Sequence, residues 1–313
     1  MQWLFKKLIA SGLTLLAIMV LTFLLVRAIP GGPFDNPKLP ADTLALLNAR
    51  FGLNDPLWVQ LGHYLQGVLH GDLGPSLANP GRSVGSIILP ALTVSAGLGA
   101  LGLLFGVAMG VLLALSHCLL PWASLRHAID TLMTALLATP SFVGAGLLVL
   151  LFAVAWALLP PATLGRYTPG TLSLPEARFL VLPALSLAIS PATISYFLMK
   201  STLQSLQQAP FIKVKAALGL PEKNILLGHV LRNAWMPLMA LLGPMAANIL
   251  TGSVAIETIF ALPGLGKYFI SAVINRDYTL VMGVTLVYSV FLVGLNLASD
   301  LVQGWLDPRL RQT

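Results

Sequence analysis

The chain has 313 residues, of which 57% are hydrophobic and only 9% charged, with a mean hydropathy of +0.85. A water-soluble domain carries roughly 25% charged residues, so an ordinary soluble fold is excluded, and helices that satisfy their own backbone groups within lipid are expected. The net charge of +7 does not indicate a nucleic-acid binder, because Lys and Arg are scattered between apolar blocks rather than gathered into one stripe.

Apolar runs long enough to cross about 30 Å of hydrocarbon, roughly 20 residues each, are predicted at 8–29, 90–117, 128–159, 179–200, 234–256 and 279–306. The expected fold class is therefore an all-α polytopic membrane protein with six transmembrane helices. The first run follows Lys6-Lys7 and is longer than the roughly 7–15 residues of a signal-peptide core. No small-x-small cleavage pattern follows it, so it reads as a retained anchor.

Between the first two runs lies the one extramembrane segment large enough for a small fold of its own, 31–89. Pro30-Gly-Gly-Pro33 breaks the first helix. Leu39–Phe51 and Pro56–Leu69 then read as short amphipathic helices, with Leu44, Leu47 and Phe51, then Trp58, Leu61, Leu65 and Leu69, at helical spacing. Packing on the ends of the membrane helices and docking of a soluble partner both fit these residues. Further on, Pro140, Pro183, Pro191, Pro237 and Pro244 fall inside predicted spans, where each removes a hydrogen bond and bends its helix.

Lys and Arg near helix ends orient the chain. With the N-terminus inside, Lys6, Lys7, Arg126, Lys200, Lys213, Lys215, Lys223, Arg232, Arg309 and Arg311 fall on the cytoplasmic side. Arg27, Lys38, Arg50, Arg82, Arg166, Arg178, Lys267 and Arg276 fall on the other, spread over more loop. Both termini are then cytoplasmic. Asp130 and Asp300 lie close to cytoplasmic helix ends, where interfacial or paired roles suit them.

Residues 208–233 form the longest Lys-bearing polar interval of the second half. Gln208–Leu218 presents Phe211, Val214, Ala217 and Leu218 on one broad apolar face. Gly219 can end a helix in the left-handed conformation, and Pro221 suits the first position of a following helix. Two readings fit these residues equally: helix-in-groove recognition by a partner, or an amphipathic helix lying on lipid headgroups.

Ala216, Ala217 and Gly219, followed by His229 and Arg232-Asn233, resemble the coupling (EAA) loop of ABC-transporter permeases. Arg27-Ala-Ile-Pro-Gly31, Phe51-Gly-Leu-Asn-Asp-Pro-Leu57, His70-Gly-Asp-Leu-Gly-Pro-Ser76 and Leu89-Pro-Ala-Leu-Thr93 occur in an order similar to that of the dipeptide/oligopeptide/nickel branch. So do Glu257-Thr-Ile-Phe-Ala-Leu-Pro-Gly-Leu-Gly266, Asn275-Arg-Asp-Tyr278 and Leu306-Asp-Pro-Arg309. Nearly the whole chain is covered, and the pattern resembles the first (B-type) permease of such importers. Leu218, Pro221 and Lys215 depart from the family's usual loop, in place of a basic residue, a serine and the Glu of the motif.

The resemblance implies a type I importer permease of a bacterial inner membrane. Its expected parts are the N-terminal end and first transmembrane helix at 1–30, an extracytoplasmic loop domain at 31–89, the permease domain at 90–306 with a coupling loop at 208–233, and a cytoplasmic tail at 307–313. An ATPase subunit would dock on Phe211, Lys213, Val214, Ala216, Ala217, Gly219, Leu220 and His229. On the outer side, Glu257, Pro263, Gly264, Gly266 and Asp277 would act structurally, with Asp277 placed to cap the last helix. The implied partners are a second homologous permease, two ATPase subunits, an extracytoplasmic solute-binding protein and membrane lipid, with no nucleic acid. The implied cargo is peptide, with nickel or a metal chelate as the alternative.

Gly264-Leu-Gly-Lys267 is only a fragment of a nucleotide loop, and a full Gly-x-x-x-x-Gly-Lys-Ser/Thr does not occur. Any ATP hydrolysis is thus expected on separate subunits. His63, His70, His117, His127 and His229 form no His-Glu-x-x-His pair, and Cys118 is the single cysteine. No cofactor, metal or catalytic residue is expected. An ion-gradient-driven transporter is the reading from another class. It would show matching halves with broken helices and intramembrane charges, and no internal repeat of that kind is present.

Overall fold

The computed structural model describes residues 2–34, 40–162, 174–219 and 221–306. Twelve α-helices follow one another among them: α1 (Gln2–Ala28), α2 (Ala41–Arg50), α3 (Leu57–Leu69), α4 (Val84–Leu119), α5 (Ala123–Ala138), α6 (Ser141–Leu148), α7 (Leu174–Gln207), α8 (Pro210–Ala217), α9 (Glu222–Ile225), α10 (Leu231–Ile259), α11 (Leu265–Ile274) and α12 (Tyr278–Leu306). Wider π-type turns extend α6 over Val149–Ala155 and join α9 to α10 over Leu226–Val230.

Four helices are long and apolar enough to cross a membrane: Phe5–Ala28, Val84–Leu119, Ala177–Gln207 and Tyr278–Gly304. Two bent pairs raise the number to 6 when each counts as one span. The run expected at 128–159 is one of them. It turns by 116° between Ala138 and Ser141, because Pro140 removes a donor and restricts Thr139 to the extended conformation it adopts here (φ −90°, ψ 122°). The second bent pair, Leu226–Leu250 with Gly252–Ile259, turns by 46°.

The chain divides into two compact units. The first joins residues 1–95 to 263–293. Its core gathers Val26 of α1, Val84, Ile87, Ile88 and Ala91 of α4, Leu265 and Ala272 of α11, and Leu280, Val281 and Val284 of α12. Gly283 lets α4 come close, since a Cβ there would stand 2.5 Å from Val84 Cγ1. Residues 40–89 thus pack with α1, α11 and the start of α12.

The second unit joins residues 96–262 to 294–313. Its central helix is α7, with 72% of its apolar window buried, against 11% for α1. Gly102, Gly106 and Gly110 recur every fourth residue on α4 and face α7. A Cβ at Gly106 would lie 2.6 Å from Ala188 O, and one at Gly110 would lie 2.4 Å from Ala192 O. Only glycine permits this backbone approach, a common device where lipid offers helices no hydrophobic incentive to associate. Gly243 plays the same part between α10 and α12, with Ser299 Cβ 2.4 Å from the Cβ it lacks.

Candidate coupling site and translocation cavity

α7 runs directly into the loop of interest. Ala209 N donates to Leu206 O at 3.0 Å and closes the turn, after which Pro210 opens α8 where a missing N–H costs nothing. α8 ends when Leu218 N donates to Val214 O (3.0 Å) and Gly219 takes φ +80°. Pro221 then lies just before α9, its carbonyl accepting from Asn224 N and Ile225 N at 3.0 and 3.1 Å.

Burial divides this pair of short helices into two faces. Ile212, Ile225, Leu226 and Val230 are buried against Met199 and Leu203 of α7 and Ala234 and Leu238 of α10. Opposite them, Val214, Leu218 and Leu227 are 59%, 76% and 52% exposed, and Ala217, Gly219 and Gly228 are open as well. One side is fixed to the unit's core and the other is an apolar surface left uncovered. His229 is half-buried on the π-turn, its carbonyl accepting from Asn233 Nδ2 at 2.8 Å. The side chains of Phe211, Lys213, Lys215 and Ala216, and Leu220 as a whole, lie outside the described residues.

A polar cluster lies behind this loop. Asp130 of α5 accepts from Tyr196 Oη at 2.7 Å and from the Lys200 ammonium, both on α7, and His117 Nε2 of α4 is 3.2 Å from its other oxygen. Of these, the sequence marked only Asp130 as a residue to be paired. The signal for its partners was present: Tyr196 and Lys200 are four apart on one helix face.

The segment 257–278 begins in the second unit and continues in the first. In the second, Glu257 is fully buried with Ser253 Oγ donating to Oε1 at 2.8 Å, and its carbonyl accepts from Leu262 N at 2.8 Å. The left-handed residue of this turn is Ala261 (φ 53°) rather than a glycine. In the first unit, Pro263 is half-buried, Gly264 is extended at the start of α11, and Gly266 is buried within it. Ser95 Oγ accepts from Leu265 N at 2.8 Å. Asp277 is fully buried and accepts from Ser76 Oγ, Leu77 N (3.0 Å), Ala78 N (3.2 Å) and Leu280 N (3.2 Å), the last at the start of α12.

A cavity of about 130 Å³ opens between α6, α7 and α10 in the second unit. Ser141, Ser190 and Asn248 supply its polar wall, and Leu187, Ile194 and Met245 much of its apolar one. Among the described residues, no charged side chain lines it. Sequence reasoning named none of these residues, because Ser and Asn at helix positions carry no signature of lining a path. Among the described residues, no three His, Cys, Asp or Glu side chains are placed to hold a metal ion.

Comparison with known proteins gives this geometry its context. Residues 102–312 match the family model of the binding-protein-dependent transport system inner membrane component, and residues 1–81 match the model of its N-terminal part. The chain is 36% identical over 311 residues to the dipeptide transport system permease protein DppB of Bacillus subtilis, covering 99% of this chain and 98% of that one. It is 32% identical over 312 residues to the oligopeptide transport system permease protein OppB of Haemophilus influenzae, with 99% of each covered. Among solved structures, an amino acid ABC transporter crystallised with histidines superposes with a TM-score of 0.55 at 16% identity, over 69% of this chain and 92% of that chain. The fold is therefore that of an ABC permease. This chain is a multi-pass membrane protein of the binding-protein-dependent transport system inner membrane component family.

Proposed function

We propose that the chain is one of two permease subunits in an ATP-driven importer of peptides. The carrying observation is the near-complete coverage by dipeptide and oligopeptide permeases, 99% of this chain in each case. The uncharged cavity of Ser141, Ser190 and Asn248 suits such cargo. Hydroxyl and amide groups bond peptide amides whatever the side chains, without a fixed charge that would retain one class.

The apolar face of Val214, Ala217, Leu218 and Leu227 docks on an ATPase subunit, with the second ATPase beneath a homologous permease. Both termini and residues 208–233 are cytoplasmic. Residues 31–89 are extracytoplasmic, where a solute-binding protein delivers cargo. Glu257, Pro263, Gly264, Gly266 and Asp277 hold the outer segment in shape. Because the buried face of α8 and α9 is packed on α7 and α10, movement of the ATPase reaches two helices that line the cavity.

The test is reconstitution in proteoliposomes with the second permease, the ATPase pair and the binding protein. Labelled di- and oligopeptides should accumulate only with ATP and all partners present. Peptide uptake by this chain alone, or driven by an ion gradient, would refute the proposal. Labelling of single cysteines, in a chain whose Cys118 is replaced, should reach position 60 from outside and position 223 from inside.

A further inference from the structure

The first unit contains a cavity of about 230 Å³, with Arg27, Gln60, Tyr64, Asp72 and Thr279 in its wall. Two buried polar atoms there have no hydrogen-bond partner among the described residues: the donor Arg27 Nε and the acceptor Gln60 Oε1. Gln60 Nε2 donates to Leu53 O (3.2 Å) and Asp55 O (2.7 Å), which fixes the amide and leaves Oε1 as the unused acceptor. The Arg27 guanidinium rests on two rings, 5.5 Å from the Phe23 centroid and 5.2 Å from that of Tyr278, and among the described residues no acidic side chain pairs with it. Leaving such groups unmet in a folded protein is costly. A zwitterion, with an anionic acceptor for Arg27 and an ammonium donor for Gln60 Oε1, satisfies both.

Position distinguishes among zwitterions. Arg27 is the last residue but one of the apolar helix Phe5–Ala28, which is long enough to cross the roughly 30 Å of hydrocarbon. The α1 span is only 11% buried, and Leu21, Leu24 and Leu25, beside Arg27, are exposed. The guanidinium therefore lies at the depth of lipid phosphates, next to a surface suited to acyl chains. Tyr64, whose phenol is pushed up to about 12 by burial, remains a neutral donor in the same wall. Asp72, exposed at the rim, adds a negative charge; its Oδ1 already accepts from Gly74 N at 2.8 Å.

We propose that this cavity binds the headgroup of a zwitterionic phospholipid with a primary amine, its phosphodiester on Arg27 and its ammonium between Gln60 Oε1 and Asp72. The lipid would tie the end of α1 to α3 and to the start of α12, independently of the solute carried. A quaternary amine has no N–H to give Gln60, so phosphoethanolamine lipids should be favoured over phosphocholine lipids.

The full chain in detergent micelles can be titrated with short-chain phosphatidylethanolamine, phosphatidylcholine and diacylglycerol, read by native mass spectrometry and by the shift in melting temperature. Phosphatidylethanolamine should bind at least tenfold tighter than diacylglycerol and severalfold tighter than phosphatidylcholine. Arg27→Gln should abolish the first preference while the lipid-free protein still melts cooperatively. Asp72→Asn, on the exposed rim, should narrow the second preference and leave the first in place, which keeps the test informative if Arg27→Gln does not fold. Equal binding of all three lipids, or unchanged preferences in both variants, would overturn the proposal. So would Arg27-dependent protection by dialanine or by free phosphoethanolamine at the lipid's affinity, since the site would then serve a soluble ligand.

Discussion

Lys200 of α7 donates to the carboxylate of Asp130 on α5, 70 positions earlier in the chain. With Tyr196 and His117 on the same carboxylate, three helices of the second unit converge on one acid. A carboxylate left unpaired at the centre of a membrane helix would cost about 3 kcal/mol; the cluster pairs this one and ties together helices against which residues 208–233 pack.

Breaking this pair should therefore be measurable but not ruinous. Hydrogen bonds to charged groups contribute about 1.5–3 kcal/mol. The side chains of Lys200 and Asp130 keep 20% and 29% exposure, so the larger loss of a fully buried pair is not expected. Asp130→Asn and Lys200→Met should each lower the melting temperature in micelles. The double variant should melt higher than the sum of the two losses predicts, because each single change leaves a charge unmatched. Strictly additive losses would show that the two residues do not act as a pair.

Gly219 gives a prediction that separates coupling from folding. No atom lies within 4 Å of where its Cβ would be, so a substitution there meets strain from φ +80° rather than a clash. That strain costs about 1–3 kcal/mol, enough to weaken docking tenfold or more. Gly219→Val should leave membrane insertion and binding-protein contact unchanged and lower both uptake and substrate-stimulated ATP hydrolysis. Ala217→Arg should do the same by placing bulk and charge on the exposed face. Leu218→Lys, on a side chain already 76% exposed, should be mild. Normal ATPase association and uptake in both Gly219→Val and Ala217→Arg would remove the loop from the coupling role.

Much of the fold was legible because a membrane demands long apolar runs, and these survive any uncertainty in packing. The start of α12, at Tyr278, differs from the expected 279 by one residue, since Asp277 marks it chemically. The sharp turn at Pro140 was not legible: proline announces a bend, but only neighbouring helices decide between a kink and 116°. Sequence reasoning also passed over Gly102, Gly106 and Gly110, although their fourth-residue spacing is a readable sign of close helix contact. The cavity was beyond reach for another reason. Ser141, Ser190 and Asn248 come from three helices, and no local pattern records that they meet.

The glycine row makes its own prediction. Gly106→Leu places a side chain where Ala188 O would be 2.6 Å and Pro191 Cβ 2.7 Å from its first carbon. Backbone atoms cannot step aside as a flexible side chain can, so α4 must separate from α7. Overpacking of this kind costs about 1–3 kcal/mol or more. Gly106→Leu and Gly110→Val should sharply reduce folded protein, seen as loss of the monodisperse peak after solubilisation. Gly146→Ala, with nothing within 4 Å of the new carbon, should be silent. If Gly106→Leu yields protein as well as Gly146→Ala does, the close approach of α4 and α7 is wrong.

Asp277 permits the most graded test, because its carboxylate collects donors from residues 199 to 201 positions earlier as well as from the start of α12. Alanine there leaves the N–H groups of Leu77 and Leu280 without an acceptor in a buried place, and each unmet group costs about 1–3 kcal/mol. Asparagine keeps one acceptor oxygen but turns an amide N–H₂ toward donors, so it should recover only part of the loss. Ser76→Ala removes a hydroxyl that donates to Asp277 and accepts from Asn79 N and Nδ2, both at 3.0 Å, but leaves the carboxylate with its backbone donors, so it should cost less than losing the carboxylate. Melting temperature and resistance to added protease should therefore fall in the order wild type, Ser76→Ala, Asp277→Asn, Asp277→Ala. Cleavage in the last two should begin near Ser76–Asn79, the segment that loses its anchor. A flat series would mean that the hydrophobic core of the first unit holds this loop unaided, and that the hydrogen bonds of Asp277 add nothing measurable.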